Sequence, residues 1–329
     1  MWNSYVTGIL IWMPGWPKER TLMTNSKGSF AAHEKHRKRG SRLWLLPLLL
    51  LLMVTCIYLG LRHFKPDWIF LIEEQVSGIT RHADLTEIPE NRLSFEKISL
   101  TDISNQPDTY TTDSSLMLVN DTHMLSEDYT PDLISYKDTD VEINPSLEES
   151  YHDLAAEIKS RFDTSLYIRS SYRSTAEQAA ESEAEPTLAA AVGASEHETG
   201  LALDVYVPRF AGSGFIKSGA GRYVNRNCWQ YGFVIRYPYG KKSVTGIPYE
   251  PWHLRYVGKP HAEIMYKASL TLEEYIESLV PGACYEYGGY LITRQTPEDG
   301  TLSIPKGLQD TRISPDNEGN YILCGIMAD

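Results

Sequence analysis

Two short stretches, Ser195-Glu-His-Glu-Thr-Gly-Leu-Ala-Leu-Asp204 and Glu250-Pro-Trp-His-Leu-Arg255, decide how this chain is read. Between them they supply two imidazoles, His197 and His253, and two carboxylates, Asp204 and Glu250. Two imidazoles and one carboxylate suffice to hold a zinc ion with a fourth position left open, the arrangement of a hydrolytic rather than a structural site. The second carboxylate is then free to take a proton from water there. His197-Glu198 does not continue into the His-Glu-x-x-His helix of common zinc proteases, because position 201 is leucine and Gly200 disfavours a helix. Asp204 is the better partner for His197: a turn at Thr199-Gly200 followed by a strand returns its carboxylate toward the imidazole. Bracketed by Leu203 and Val205, that carboxylate needs compensation, from a metal or from backbone donors. Pro251 interrupts sheet pairing, so Glu250 is expected in a bend and His253 in the strand that follows. Taken singly, each residue fits a structural role; together they form a site, with Glu250 as general base and then general acid toward a leaving amine.

Outward from these stretches, the chain reads as mixed helix and strand. Asn144 caps and Pro145 opens a helix whose apolar stripe is Leu147, Tyr151, Leu154, Ile158 and Phe162. Leu166-Tyr-Ile-Arg169 is expected as a strand, followed by the loop Ser170-Ser-Tyr-Arg-Ser174. Ser174 and Glu177 form a capping box for a helix running toward Leu188. Leu116–Asn120, Ala202–Val207 and Phe233–Tyr237 are expected as strands, and Tyr223–Tyr231, Pro260–Lys267 and Leu272–Leu279 as helices. From Gly288 onward, short strands with Gly and Pro turns predict a small β appendage. Without regular βαβ alternation, the fold class is α+β, not a doubly wound sheet.

The whole chain has 329 residues and a formal charge of -12, which argues against a general nucleic-acid binder. Its one basic cluster, Lys35, Arg37, Lys38, Arg39 and Arg42, precedes the uncharged run Leu43–Leu61. At about 1.5 Å per residue that run spans roughly 28 Å, close to a bilayer core. The basic flank predicts the N-terminus inside and the remainder outside. A cleaved signal peptide shares this order, but Arg62-His-Phe-Lys65 follows instead of a small-residue cleavage site, favouring an uncleaved anchor. The aromatic stretch before Met23 suggests that Met23 is the true start. The expected organisation is a cytoplasmic segment (1–42), a transmembrane anchor (43–61), a polar acidic stalk or lead-in (62–113), the catalytic domain (114–270), and a C-terminal helix with the β appendage (271–329). Cys284 and Cys324 are either bridged or free thiols on sequence grounds.

From about Leu116 to Gly258 the chain resembles the VanY family of zinc D-alanyl-D-alanine carboxypeptidases. The resemblance is carried by Leu118-Val-Asn120, Tyr129-Thr-Pro-Asp132, Ser170-Ser-Tyr-Arg-Ser174 with Gln178, Ser195-x-His-x-Thr-Gly-x-Ala-x-Asp204, Tyr231-Gly-Phe-Val-Ile-Arg-Tyr-Pro238 and Thr245-Gly-Ile-Pro-Tyr-Glu-Pro-Trp-His-Leu-Arg-Tyr256. It implies one zinc per chain on His197, Asp204 and His253, with Glu250 as the catalytic base. It also places Arg173 in the pocket, where a guanidinium grips a carboxylate or an oxyanion; a surface ion pair is the plainer alternative. Gln178 and Ser195 are implied as substrate-orienting groups and Trp252 as a wall of the site, although a core role suits Trp252 as well. The implied fold is the small zinc peptidase fold shared with the hedgehog signalling domain, with a mainly antiparallel sheet. The implied substrates are peptidoglycan stem pentapeptides or their precursors ending in D-alanine, met on the outer face of a bacterial cell membrane. An L,D-carboxypeptidase acting on tetrapeptides and a wall-binding protein that keeps zinc without catalysis are the rival readings. Ser171 and Glu198 depart from the family pattern, which has glycine and glutamine there; Glu198 is expected to add negative charge beside the metal.

Overall fold

The computed structural model describes residues 45–184 and 189–328. The Met23 start, the basic cluster at 35–42 and the end of the helix expected toward Leu188 lie outside these described residues. Helix α1 (Leu45–Phe64) has no buried residue and is long and apolar enough to cross a membrane. After Lys65, Pro66 opens a second helix, α2 (Pro66–Thr80), with proline in its first turn where no N–H is required.

The site rests on a four-stranded antiparallel sheet in the order Tyr167–Ser170, Ala202–Tyr206, His253–Tyr256, Phe233–Ile235. The helix Glu148–Phe162 packs into the core cluster shared with this sheet through Tyr151, Leu154 and Ile158, which join Leu201, Leu203, Val205 and Leu254. Each such buried apolar side chain contributes about 1.5–3 kcal/mol. Asn144 caps as expected, its Oδ1 accepting the Ser146 N–H at 3.0 Å, but the first turn is a 3₁₀ helix over Pro145–Leu147. The capping box at Ser174 is present: the Ser174 N–H donates to Glu177 at 2.8 Å, and the Glu177 N–H donates to Ser174 Oγ at 3.4 Å.

Leu116–Val119 is buried but irregular, not a strand. The carbonyls of Ser115 and Met117 both accept from the buried Arg255 guanidinium, at 3.1 and 2.7 Å, so they are unavailable to a ladder.

The residues expected as a stalk or lead-in are threaded into the C-terminal part. A six-stranded sheet runs Thr86–Ile88, Cys284–Tyr287, Tyr290–Gln295, Tyr321–Met327, Leu308–Pro315, Tyr110–Thr112. Its pairings are antiparallel except the last, and Phe95–Ser99 pairs separately with Thr301–Pro305. The helices His261–Ala268 and Leu272–Ser278 share one apolar cluster with this sheet through Ile264, Met265, Leu272, Ile276 and Ile292. Cys284 pairs with Thr293, whereas Cys324 pairs with Ile292. Neighbouring residues of one strand point to opposite faces, so the two thiols lie on opposite sides of the sheet. Both are free and buried.

Candidate metal centre

The register of the central strands creates the site. Asp204 lies directly opposite His253, so two side chains nearly fifty residues apart project from the same face of the sheet. His197 arrives from a 3₁₀ turn, Glu196–Thr199, that stops at Gly200 with φ of +70°. A Cβ at Gly200 would meet Leu133 Cδ2 at 2.8 Å and the Asn144 N at 2.9 Å, so this reversal requires glycine on both steric and backbone grounds. The Glu250 carbonyl accepts the His253 N–H at 3.2 Å, forming the expected bend at Pro251.

His197 Nε2 stands 3.6 Å from Asp204 Oδ2, and His253 Nδ1 stands 3.2 Å from Asp204 Oδ1. Ligands about 2.1 Å from a tetrahedral zinc are about 3.4 Å apart, so both spacings suit one ion. His197, Asp204 and His253 each offer a ligand atom within 4.8 Å of the others. The donor chemistry agrees. His197 Nδ1 sits 2.7 Å from the Ser171 carbonyl, which fixes its proton on Nδ1 and leaves the Nε2 lone pair facing Asp204. Asp204 Oδ1 is buried with no hydrogen-bond partner, an expensive state that a cation relieves. These residues fit a zinc ion.

Glu250 Oε2 lies 3.7 Å from His253 Nδ1, beside the ligand cluster but outside the triad. Burial raises the Glu250 carboxyl above its usual range, the positive side of His253 offsets part of this, and the nearby Asp204 adds to the rise. Such a carboxylate is a stronger proton acceptor than an exposed one. Burial drives the His197 imidazole down to about 4. Burial also opposes protonation of His253, but Asp204 and Glu196 prevail and carry it up to about 9. For Asp204, burial pushes upward and the two histidines hold it below the ordinary aspartate value.

Arg173 sits at the rim, its backbone N–H donating to the His197 carbonyl at 3.1 Å. Its guanidinium donates to Gln178 Oε1 at 2.8 Å and Ser170 Oγ at 3.3 Å. Gln178 is fully buried, and its amide nitrogen donates to the Ala190 carbonyl at 2.7 Å. Both ends of that amide are engaged, so Gln178 ties the Arg173 guanidinium to the backbone at Ala190. Ser195 is buried at the start of the 3₁₀ turn, and its side chain caps nothing. Trp252 packs against the core cluster. Among the tyrosines, Tyr237 meets the site, its ring 4.9 Å from that of His253. The Glu198 carboxylate, next in sequence to His197, accepts the Gly193 N–H at 2.7 Å. Ser171 is not among the residues of positive φ, so a side chain is tolerated there.

Glu196 is the residue that reading the sequence missed. It is 1% exposed, and its Oε1 accepts from Arg236 at 2.6 Å and Arg255 at 2.7 Å. Its Oε2 has no hydrogen-bond partner and faces His253 Nε2, also without a partner, at 3.7 Å. Burial raises the Glu196 carboxyl, but the two guanidiniums outweigh it and keep the group ionised. A negative oxygen behind Nε2 favours the tautomer with the proton there, leaving Nδ1 free for a metal. The signal in the sequence was a glutamate next to a candidate ligand histidine, with one arginine just after the apolar strand Phe233–Ile235 and another within His253–Tyr256.

A family model described as VanY, D-alanyl-D-alanine carboxypeptidase, matches residues 140–259. The chain is 32% identical over 302 residues to a D-alanyl-D-alanine carboxypeptidase of Enterococcus faecium, covering 83% of this chain and 94% of that one. It is 34% identical over 183 residues to the bifunctional D-Ala-D-Ala dipeptidase and carboxypeptidase VanXYC of Enterococcus gallinarum, covering 50% and 95%. Among solved structures, the vancomycin resistance D,D-dipeptidase VanXYg superimposes with a TM-score of 0.58 at 24% identity, over 71% of this chain and 99% of that one. This last likeness concerns the fold.

Proposed function

The chain belongs to the VanY family of D-alanyl-D-alanine carboxypeptidases, and from that premise we propose that it is a zinc carboxypeptidase removing the terminal D-alanine from peptidoglycan stem peptides. The observation that carries the reading is the convergence of His197, Asp204 and His253 on one point with Glu250 beside them. A zinc held by the triad supplies Lewis-acid polarisation of the scissile carbonyl and acidifies water. Glu250, raised by burial, would take a proton from the attacking water and later deliver it to the departing amine. Arg173, braced by Gln178 and Ser170, offers its remaining donors to the free carboxylate of the substrate or to the developing oxyanion. Ser195 and Trp252 border the same pocket, one as a polar group and the other as an apolar wall. The Ser171 carbonyl and Glu196 hold the two imidazoles with their lone pairs aimed inward.

We assign α1 as a single membrane anchor with the catalytic part on the outer face, supported by its length and hydropathy and by the basic residues that precede it. The test is hydrolysis of defined stem peptides with and without a chelator, followed by mass spectrometry. Release of D-alanine from a pentapeptide, abolished by the chelator and restored by zinc, is expected. Cleavage confined to tetrapeptides would instead identify an L,D-carboxypeptidase. Zinc-loaded protein that binds peptides without cutting either would refute the enzymatic reading. Glu250→Ala should bind zinc but release no D-alanine; full activity in that variant would remove Glu250 from the base role.

A further inference from the structure

Helix α2 has two faces with different fates. One is docked on the catalytic part: Ile69 and Phe70 are buried, Glu73 and Glu74 pair with Arg226, and Gln75 donates to the Tyr239 carbonyl at 3.2 Å. The other carries Trp68, Ile72, Val76 and Ile79, which are 61%, 56%, 59% and 77% exposed. Their spacing of four, four and three residues makes one continuous apolar stripe along the helix. It is not a core face left open, because the core of this helix lies on the opposite side. Soluble surfaces scatter single apolar residues; an aligned stripe of large ones marks an interaction.

The chain itself indicates what covers the stripe. Only Lys65 separates the end of α1 at Phe64 from the start of α2 at Pro66. Consecutive Cα atoms are about 3.8 Å apart, so α2 must begin at the depth where α1 ends. The junction carries the groups that settle at a membrane boundary: Arg62, His63 and Lys65, with the Lys65 ammonium 6.0 Å from the Trp68 ring centroid. We infer that the stripe of Trp68, Ile72, Val76 and Ile79 lies in the headgroup–acyl boundary of the outer leaflet and holds the catalytic part against the bilayer. The inference rests on reading α1 as a membrane anchor. Helix α2 has no lysine or arginine and its Glu73 and Glu74 are paired with Arg226, so the attachment is apolar and needs no anionic lipid. Its docked face touches Tyr239, whose ring meets that of Tyr249 at 5.8 Å, next in sequence to Glu250. The depth of α2 therefore sets the height of the catalytic cleft above the membrane.

The experiment uses the full chain, carrying Cys56→Ser, in vesicles of phosphatidylcholine alone. The three remaining cysteines are buried. Single cysteines are introduced by Ile72→Cys, Val76→Cys, Leu50→Cys and Lys306→Cys, spin-labelled, and compared for relaxation by oxygen against a water-soluble nickel chelate. Labels at 72 and 76 should show an oxygen-to-nickel ratio several-fold above that at 306, with 50 higher still. Labels at 72 and 76 that match 306, while 50 remains oxygen-favoured, would overturn this inference and leave the anchor intact. A nickel-accessible label at 50 would overturn the anchor and the inference with it. Spin–spin broadening at 72 and 76 without oxygen preference would mean that a second copy of the chain covers the stripe, which also overturns it.

Discussion

Replacing Glu196 by glutamine tests how the metal centre is held. In the native protein Glu196 Oε1 takes donors from both Arg236 and Arg255, and Oε2 faces His253 Nε2. In Glu196→Gln the remaining amide oxygen must stay with the arginines, since Arg236 Nε and Arg255 Nη1, the two donors aimed at it, are buried and have no other acceptor among the described residues. The amide NH₂ then occupies the place of Oε2 and presents a donor to Nε2. The imidazole avoids two opposed donors by moving its proton to Nδ1, the atom that faces Asp204 and the metal position. Changes to such orienting partners cost about 10–100-fold in metal affinity, or about 1.4–2.7 kcal/mol. Loss of the charge also destabilises the fold, by about 3 kcal/mol. Glu273→Gln separates the two effects, because Glu273 pairs with Arg236 at 2.6 Å without being among the groups within ion-pair distance of His253. Both variants should unfold at lower denaturant concentration, but only Glu196→Gln should lose zinc in competition with a chromophoric chelator. Nitrogen NMR of the metal-free protein, recorded above the pH at which His253 becomes neutral, should report the changed tautomer. Equal zinc affinity in the two variants, with His253 still protonated at Nε2, would refute the reasoning.

Zinc binding should weaken as the pH falls. His253 is carried up to about 9 and His197 down to about 4, so near neutrality the metal-free site holds its proton on His253, among Asp204, Glu196, Glu250 and the Tyr237 ring. Binding must expel that proton, giving about a tenfold loss of affinity per pH unit below the His253 value; calorimetry in buffers of different ionisation enthalpy should find close to one proton released, and none would contradict the assignment. Gly200→Ala places a side chain at φ +70° against Leu133 and Asn144, and should cost about 2 kcal/mol or more in thermal unfolding; an unchanged transition would show that this turn is not constrained. Gln178→Met removes the acceptor that braces the Arg173 guanidinium, and should lower kcat/KM about tenfold, the worth of one charged hydrogen bond, mainly through KM and without loss of zinc. A fall in zinc content instead would place Gln178 in the metal centre.

Much of the site was legible because its geometry is local. Gly200 after a short turn, Asp204 in an alternating strand and Pro251 before His253 are backbone statements that a sequence makes directly. The same holds for the Asn144 cap and the Ser174–Glu177 box. The partner of Glu198 was not legible, because nothing in sequence says which way a turn residue points; the Gly193 N–H takes its carboxylate. Leu116–Val119 has strand composition, yet the Arg255 guanidinium takes one carbonyl within it, Met117, and one just before it, Ser115. The acidic lead-in looked unpaired because its partners lie some two hundred residues further on, at Cys284–Tyr287, Thr301–Pro305 and Leu308–Pro315.

The sequence by itself offered the candidate donor set, His197, Asp204 and His253, with Glu250 near it and an apolar helix ahead of them. These follow from side-chain chemistry and from periodicities of a few residues, which no distant contact can alter. Only the tertiary structure decided that Asp204 and His253 face each other across a strand pair, that Cys284 and Cys324 point to opposite faces, and that Glu196 stands behind a ligand imidazole with two arginines to balance it. Each of those facts depends on strand register or on the burial of charge. Both are properties of the packed chain, set by which long-range partners satisfy each polar group once water has been removed.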